Sequence, residues 1–178
     1  MIELTIDAKG LEGIIDELGA MPRQVQAAMR STLTKMASWV RTRSTRGLSK
    51  ELALQQKIIR QRLKVARLRR TSSGAEVPIW YGLNPVGLIR LQARQNRQGV
   101  RAYGGRQVQS GFIRRGKGGK LHVFKREGRA RLPIKSQKVE IADPGSDYLR
   151  DDLIESAEFR ARFLQVFEHE LTWRMRKQ

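Results

Sequence analysis

The spacing of apolar residues changes twice along this chain, and those changes divide it into helical, strand and helical regions. Ile2, Leu4 and Ile6 alternate with Glu3, Thr5 and Asp7, which predicts a short half-buried strand. After Gly10 the period lengthens. Leu11, Ile14, Ile15 and Leu18 predict a short amphipathic helix ending at Gly19. Pro22 suits the first turn of a second helix, and Val25, Met29, Leu33, Met36 and Val40 carry it to about Thr45, with a stop at Gly47. Ser49 is a candidate N-cap for a third helix reaching roughly Leu63. The face of that third segment is dense in Lys57, Arg60, Arg62 and Lys64, followed by Arg67, Arg69 and Arg70.

At the turn Thr71–Gly74 the period drops to two. Val77, Ile79 and Tyr81 define one strand face, and Pro78 marks an edge or a strand start. Val86–Leu91 is a further apolar run. Residues 92–110 are polar, basic and glycine-bearing, anchored only by Val100, Tyr103 and Val108, and read as a long hairpin or mobile loop. Phe112-Ile113 and Leu121–Arg126 read as a strand pair across a Gly/Lys turn. Short strands are expected around Leu132–Ile134 and Val139–Ile141, with Pro144-Gly145 ending the β region. Ser146 then opens one long helix to about residue 176, its stripe formed by Leu149, Leu153, Ala157, Ala161, Leu164, Glu168 and Leu171. Ile154, Phe163 and Phe167 widen that stripe. The expected class is α+β, in a single domain over 1–178: an N-terminal strand and helices, an antiparallel sheet of short strands with a long basic loop at about 92–120, and a long C-terminal helix. A chain of 178 residues can bury a core without disulfides or metals.

Charge follows the same division. Residues 22–138 hold 29 Lys and Arg against only Glu51, Glu76 and Glu127, a net +26 between flanks of −4 and −3. A surface that is merely solvated mixes both signs. This one asks for a polyanionic partner or an acidic neighbour. The absence of cysteine excludes disulfides, thiolate metal sites and a Cys nucleophile. No run is apolar enough to span a bilayer, and the acidic first segment does not read as a secretory leader. The chain is expected to be soluble, to have no membrane partner, and to stay where it is made.

Catalytic signals are weak. Gly111–Lys117 matches the start of a phosphate-loop pattern, but Gly118 stands where a magnesium-holding Ser or Thr belongs, and a strand follows where a helix should. His122 and His169 are far apart and have no convergent ligands. No cofactor, metal or catalytic set is expected, and the chain reads as a non-enzyme. Trp39, Trp80, Trp173 and the phenylalanines sit at core spacing, so packing is the simpler account than base stacking. Tyr103 stands apart, in a loop with Arg97, Arg101 and Arg106.

Several segments together resemble a known family. They are the leading strand, the helix-forming stretch from Gly10 to Thr42, the basic segment Gln56–Arg67, the strand segment Val77–Val86 and the block Ser110–Ile141. The most specific positions are Gly111-Phe112-Ile113, His122-Val123-Phe124-x-Arg126 and Arg131-x-Pro133-Ile134. The pattern resembles the minor tail protein Z family of long-tailed phages and prophages, and more distantly neck and tail-completion proteins. The resemblance implies a structural protein of the virion that completes the tail at the head–tail joint and is assembled in the host cytoplasm. It implies as partners copies of the chain itself in a ring or other homo-oligomer, the tail terminator or tube, the head-side connector, and the DNA passing through. It carries no catalytic residues. The residues expected to face DNA or partners are Arg94, Arg97, Arg101, Tyr103, Arg106, Arg114, Arg115, Lys117 and Lys120. The alternative is a free, sequence-nonspecific nucleic-acid-binding protein.

Overall fold

A computed structural model describes residues 2–6, 22–71 and 74–176. The short helix expected over Leu11–Leu18 lies outside the described residues. Strand β1 (Ile2–Ile6) pairs antiparallel along β4 (Gly74–Tyr81), with Ile2 opposite Tyr81 and Ile6 opposite Val77. Helix α1 spans Pro22–Glu51. It buries Ala28, Met29, Thr32, Leu33, Met36, Ala37, Val40, Ser44, Thr45, Leu48 and Leu52 from its following turn, the i, i+3/i+4 stripe of an amphipathic helix.

α1 runs straight through the predicted stop at Gly47. A Cβ built there would lie 1.7 Å from the Tyr148 hydroxyl oxygen, so the glycine is a seat for Tyr148 rather than a terminator. The helix closes instead where Ala53 takes a left-handed φ of 43° and Leu54 N–H returns to the Ser49 carbonyl at 3.0 Å. Ser49 therefore belongs to the end of α1 and caps no new helix. Its hydroxyl donates to the Leu54 carbonyl at 2.6 Å. The third helix shrinks to α2 (Gln56–Gln61), and Leu63–Val65 is strand β2.

β2 and β3 (Arg69–Thr71) share one side of β4, opposite β1. So β4 is central, and Pro78 is not at an edge. The Pro78 carbonyl accepts from Ala66 N–H at 2.9 Å, so its ring nitrogen faces the same side. There the ladder is already interrupted between β2 and β3, and a missing donor costs nothing.

Beyond β4 the chain builds small antiparallel units. β5 (Val86–Gly87) leads into a 3-10 turn over Leu88–Leu91. Residues 92–110, expected as a hairpin or mobile loop, form a three-stranded meander of β6 (Arg94–Asn96), β7 (Gly99–Ala102) and β8 (Arg106–Gln109). Val100, 1% exposed, anchors it to the core. The predicted hairpin is present as β9 (Phe112–Arg115) and β10 (Leu121–Arg126), extended by β11 (Ile134–Ser136). β12 (Lys138–Val139) returns to pair with β5.

The expected long C-terminal helix is broken in two places. α3 (Ala142–Asp147) contains Pro144, Gly145 and Ser146, so Ser146 starts nothing. A π-helical segment over Tyr148–Ile154 follows, closed by Glu155 N–H to the Arg150 carbonyl at 2.9 Å. The true N-cap is Ser156, whose oxygen accepts from Phe159 N–H at 3.1 Å and opens α4 (Ala157–Met175). The break resets the phase. Ala157, Ala161, Leu164 and Glu168 face solvent, whereas Phe163, Phe167, Glu170 and Leu171 face inward.

α4 runs antiparallel to α1. Arg43 meets Glu158 at 2.5 Å, Trp39 packs on Phe159 at 6.1 Å, Lys35 pairs with Glu170, and Arg174 donates to Ser31 at 2.6 Å. On its other side α1 rests on β4, where the buried Tyr81 hydroxyl donates to Ser44 Oγ at 2.9 Å. Burial pushes the Tyr81 phenol up to about 12, outweighing the opposite effect of that hydrogen bond. One core cluster extends from α1 through Val100 and Val123 to Leu171.

Candidate functional site

The β region from residue 94 to 138 is strongly one-signed. It carries 14 Lys and Arg against Glu127 alone, and Glu127 is held in an ion pair by Lys135. Two antiparallel units share this region. They are joined where Ile113 N–H on β9 donates to Gln95 Oε1 on β6 at 2.9 Å.

The structure sorts the nine expected contact residues into two groups. Arg94 and Arg101 lie directly opposite each other on β6 and β7, on the face away from the buried Val100. Arg97 is in the turn between these strands, and Arg114 is on β9. Lys117 and Lys120 occupy the β9–β10 turn. These six are exposed and have no hydrogen-bond or ion-pair partner among the described residues. Like charges opposed across a ladder are destabilising, so the Arg94–Arg101 pair costs the free chain stability.

Arg106 and Arg115 have local hydrogen bonds, and Tyr103 stands exposed beside them. The Arg106 guanidinium donates to the carbonyls of Leu52 at 2.6 Å, Ala53 at 2.7 Å and Tyr103 at 3.2 Å. It satisfies carbonyls left open at the end of α1 and so fastens the meander to the helix. The turn beside it is pressed close. Gly104 has φ of 75°, and a Cβ there would lie 2.6 Å from the Ala53 carbonyl oxygen. Arg115 reaches back to the Gly119 carbonyl at 2.7 Å. Tyr103 keeps its ring 46% exposed at the tip of that turn. Arg62, from the basic run before β4, is also a fastener. It donates to the carbonyls of Gly82 at 3.1 Å, Asn84 and Pro85.

The phosphate-loop fragment lies on β9 and its turn, and β10 follows where a phosphate-binding helix would begin. His122 is half-buried on β10, and His169 is exposed on α4. Among the described residues no group of three or more His, Cys, Asp or Glu converges as metal ligands. No described helix is long and apolar enough to cross a membrane.

One feature of the region escaped the reading of phenylalanines as core. Phe112 and Phe124 stand opposite each other on β9 and β10 and are absent from the core cluster. Their ring centroids are 6.0 Å apart, and the His122 ring is 5.8 Å from Phe124. The signal was present in the alternation. Ile113 and Val123 take the inward face, which leaves the aromatic neighbours the other one.

The molecule is thus an α+β scaffold carrying an acid-poor, basic β region. The chain matches the family model described as Prophage minor tail protein Z over residues 8–177, and it belongs to that family. It is a protein of the phage tail with a structural role. It is also 27% identical over 155 residues to the "Tail completion protein" of Escherichia phage N15, covering 82% of this chain and 84% of the relative. No solved structure matches the chain.

Proposed function

We propose that this protein completes the tail at the head–tail joint by docking in several copies between the tail terminator or tube and the head-side connector. Its basic β face is turned to acidic neighbours or to the passing DNA. The observation that carries this reading is the set of six cations without a partner among the described residues, Arg94, Arg97, Arg101, Arg114, Lys117 and Lys120, on one β region nearly free of acids. Cations left unpaired in the free chain are available to neutralise an anionic partner. The name of the phage N15 relative supports the placement, and repeated copies favour closed symmetry. The role is assembly without catalysis, in the host cytoplasm and then in the particle.

The test is mass spectrometry of gradient-purified, salt-washed particles, with a variant carrying Gln at the six positions. Arg106 is excluded because it holds the meander to α1. The wild-type chain is expected at a fixed small number per particle. The variant is expected to fold but to lower particle yield. A chain found only in the free protein pool overturns the proposal in favour of a free nucleic-acid-binding protein. Full infectivity of the variant removes the role of the basic face.

A further inference from the structure

We propose that the outward face of the β9–β10–β11 sheet binds single-stranded nucleic acid by stacking bases on its aromatic side chains. The register places Arg114 opposite His122, Phe112 opposite Phe124, and Ile134 opposite Arg126. All six share one face, because positions two apart on a strand point the same way. The intervening pair, Ile113 and Val123, points inward, with Val123 only 1% exposed.

The outward face therefore has an aromatic centre between two arginines. His122 and Arg126 bracket about 13 Å of strand at the usual rise per residue. Phe112 and Phe124 are half-buried, outside the core cluster, with side area left over. A cavity of about 440 Å³ opens beside Phe112, lined by Ser110, Phe112, Lys125, Arg126, Gly128 and Arg129. The cavity contains no acid, and Glu127 nearby is neutralised by Lys135.

Charge complementarity selects an anionic occupant, and the rings narrow the choice. A duplex keeps its bases stacked on one another and offers an outward ring nothing to stack on. An acidic protein segment needs the cations but not the π faces. A single strand uses both, with phosphates on arginine and bases on aromatic rings. This rests on reading the β region as a contact surface, and it requires no position within a particle.

The experiment is fluorescence anisotropy of the full chain with a labelled oligothymidine and with a duplex of equal length, across a salt series. The single strand is expected to bind more tightly. Phe124→Leu keeps apolar bulk but loses the π face, and is expected to weaken single-strand binding roughly ten- to hundredfold with the salt slope unchanged. Phe124→Tyr is expected to restore it. Arg114→Gln with Arg126→Gln is expected to lower the salt slope by about 1.4, at about 0.7 per phosphate contact. Melting curves confirm that each variant is folded. Equal affinity for duplex with no effect of Phe124→Leu overturns the proposal and leaves a backbone-only surface. Displacement of the oligonucleotide by polyglutamate, with both Phe124 variants behaving as wild type, overturns it in favour of an acidic protein. Particle mass spectrometry reads the head–tail role separately, so the two proposals fail independently.

Discussion

Glycine 47 sits in the interior of a 30-residue helix, where glycine costs about 1 kcal/mol relative to alanine. The compensation is Tyr148, whose ring occupies the space a Cβ would fill and whose hydroxyl oxygen would be 1.7 Å from it. Gly47→Ala is therefore expected to destabilise the protein by about 1–3 kcal/mol, the usual cost of overpacking, despite its better helix propensity. In a Tyr148→Ala background the same change is expected to stabilise by up to about 1 kcal/mol. Urea denaturation of the four chains checks this. A cost for Gly47→Ala that persists without Tyr148 would show that the glycine serves some other end. Arginine shows the same dependence on place. Arg94 and Arg97 face water, while Arg62 and Arg106 are spent on main-chain carbonyls. Nothing in the sequence marks that difference. Two of the three carbonyls that Arg106 satisfies, those of Leu52 and Ala53, lie more than 50 positions away along the chain.

Among the elements, the seam between α1 and α4 carries a testable charge. Glu170, with its side chain 10% exposed, accepts from Arg174 at 2.5 Å and pairs with Lys35. Burial pushes its carboxyl up, but hydrogen bonds and charge from Lys35 and Arg174 outweigh burial and hold it below the usual value. A lowered folded pKa means that the unfolded chain binds the proton first. The stabilisation is therefore complete above the ordinary carboxylate range and lost as pH falls through the folded value. Stability is expected to drop as pH falls below about 4.5, and Glu170→Gln is expected to flatten that acid limb while costing about 1–3 kcal/mol at neutral pH. Denaturant midpoints across pH for both chains test it. An unchanged acid limb in the variant would remove Glu170 as its source. These helices were legible as apolar stripes, but their ends were not. Gly47 and Ser146 carry the residue types of a stop and a start, and tertiary contacts overrule both. The phase slip at Ser156 moved Ala157, Ala161 and Leu164 out to solvent, which a stripe extrapolated from Leu149 and Leu153 could not foresee. β1, β4 and the β9–β10 hairpin were legible because alternation is a local signal. The meander over 94–109 was legible only as a hairpin or a mobile loop, since its strands are polar and lean on the core through little more than Val100 and Val108.

For the whole molecule the governing quantity is a net charge of +19. Residues 22–138 carry more than the whole of that excess, a net +26 that the acidic flanks only partly offset, so the free chain repels itself. The opposed Arg94 and Arg101 are a local instance of this, and β6 and β7 hold them together without an intervening acid. Exposed like charges are screened by salt, whereas the sheltered Glu170–Arg174 pair is screened much less. The balance predicts that the melting temperature rises as sodium chloride goes from about 0.01 to about 0.15 M, over which the Debye length falls from about 30 to about 8 Å. A variant with Gln at Arg94 and Arg101 is expected to start higher at low salt and to rise less. Polyanions that bind the folded β face are expected to stabilise further, beyond screening, because they bind the native state preferentially. Differential scanning calorimetry of both chains, with and without heparin, measures these effects. A melting temperature that falls with salt would mean that attractive surface pairs outweigh the repulsion. The basic face would then be compensated within the chain, and the case for an external anionic partner would lose its physical basis.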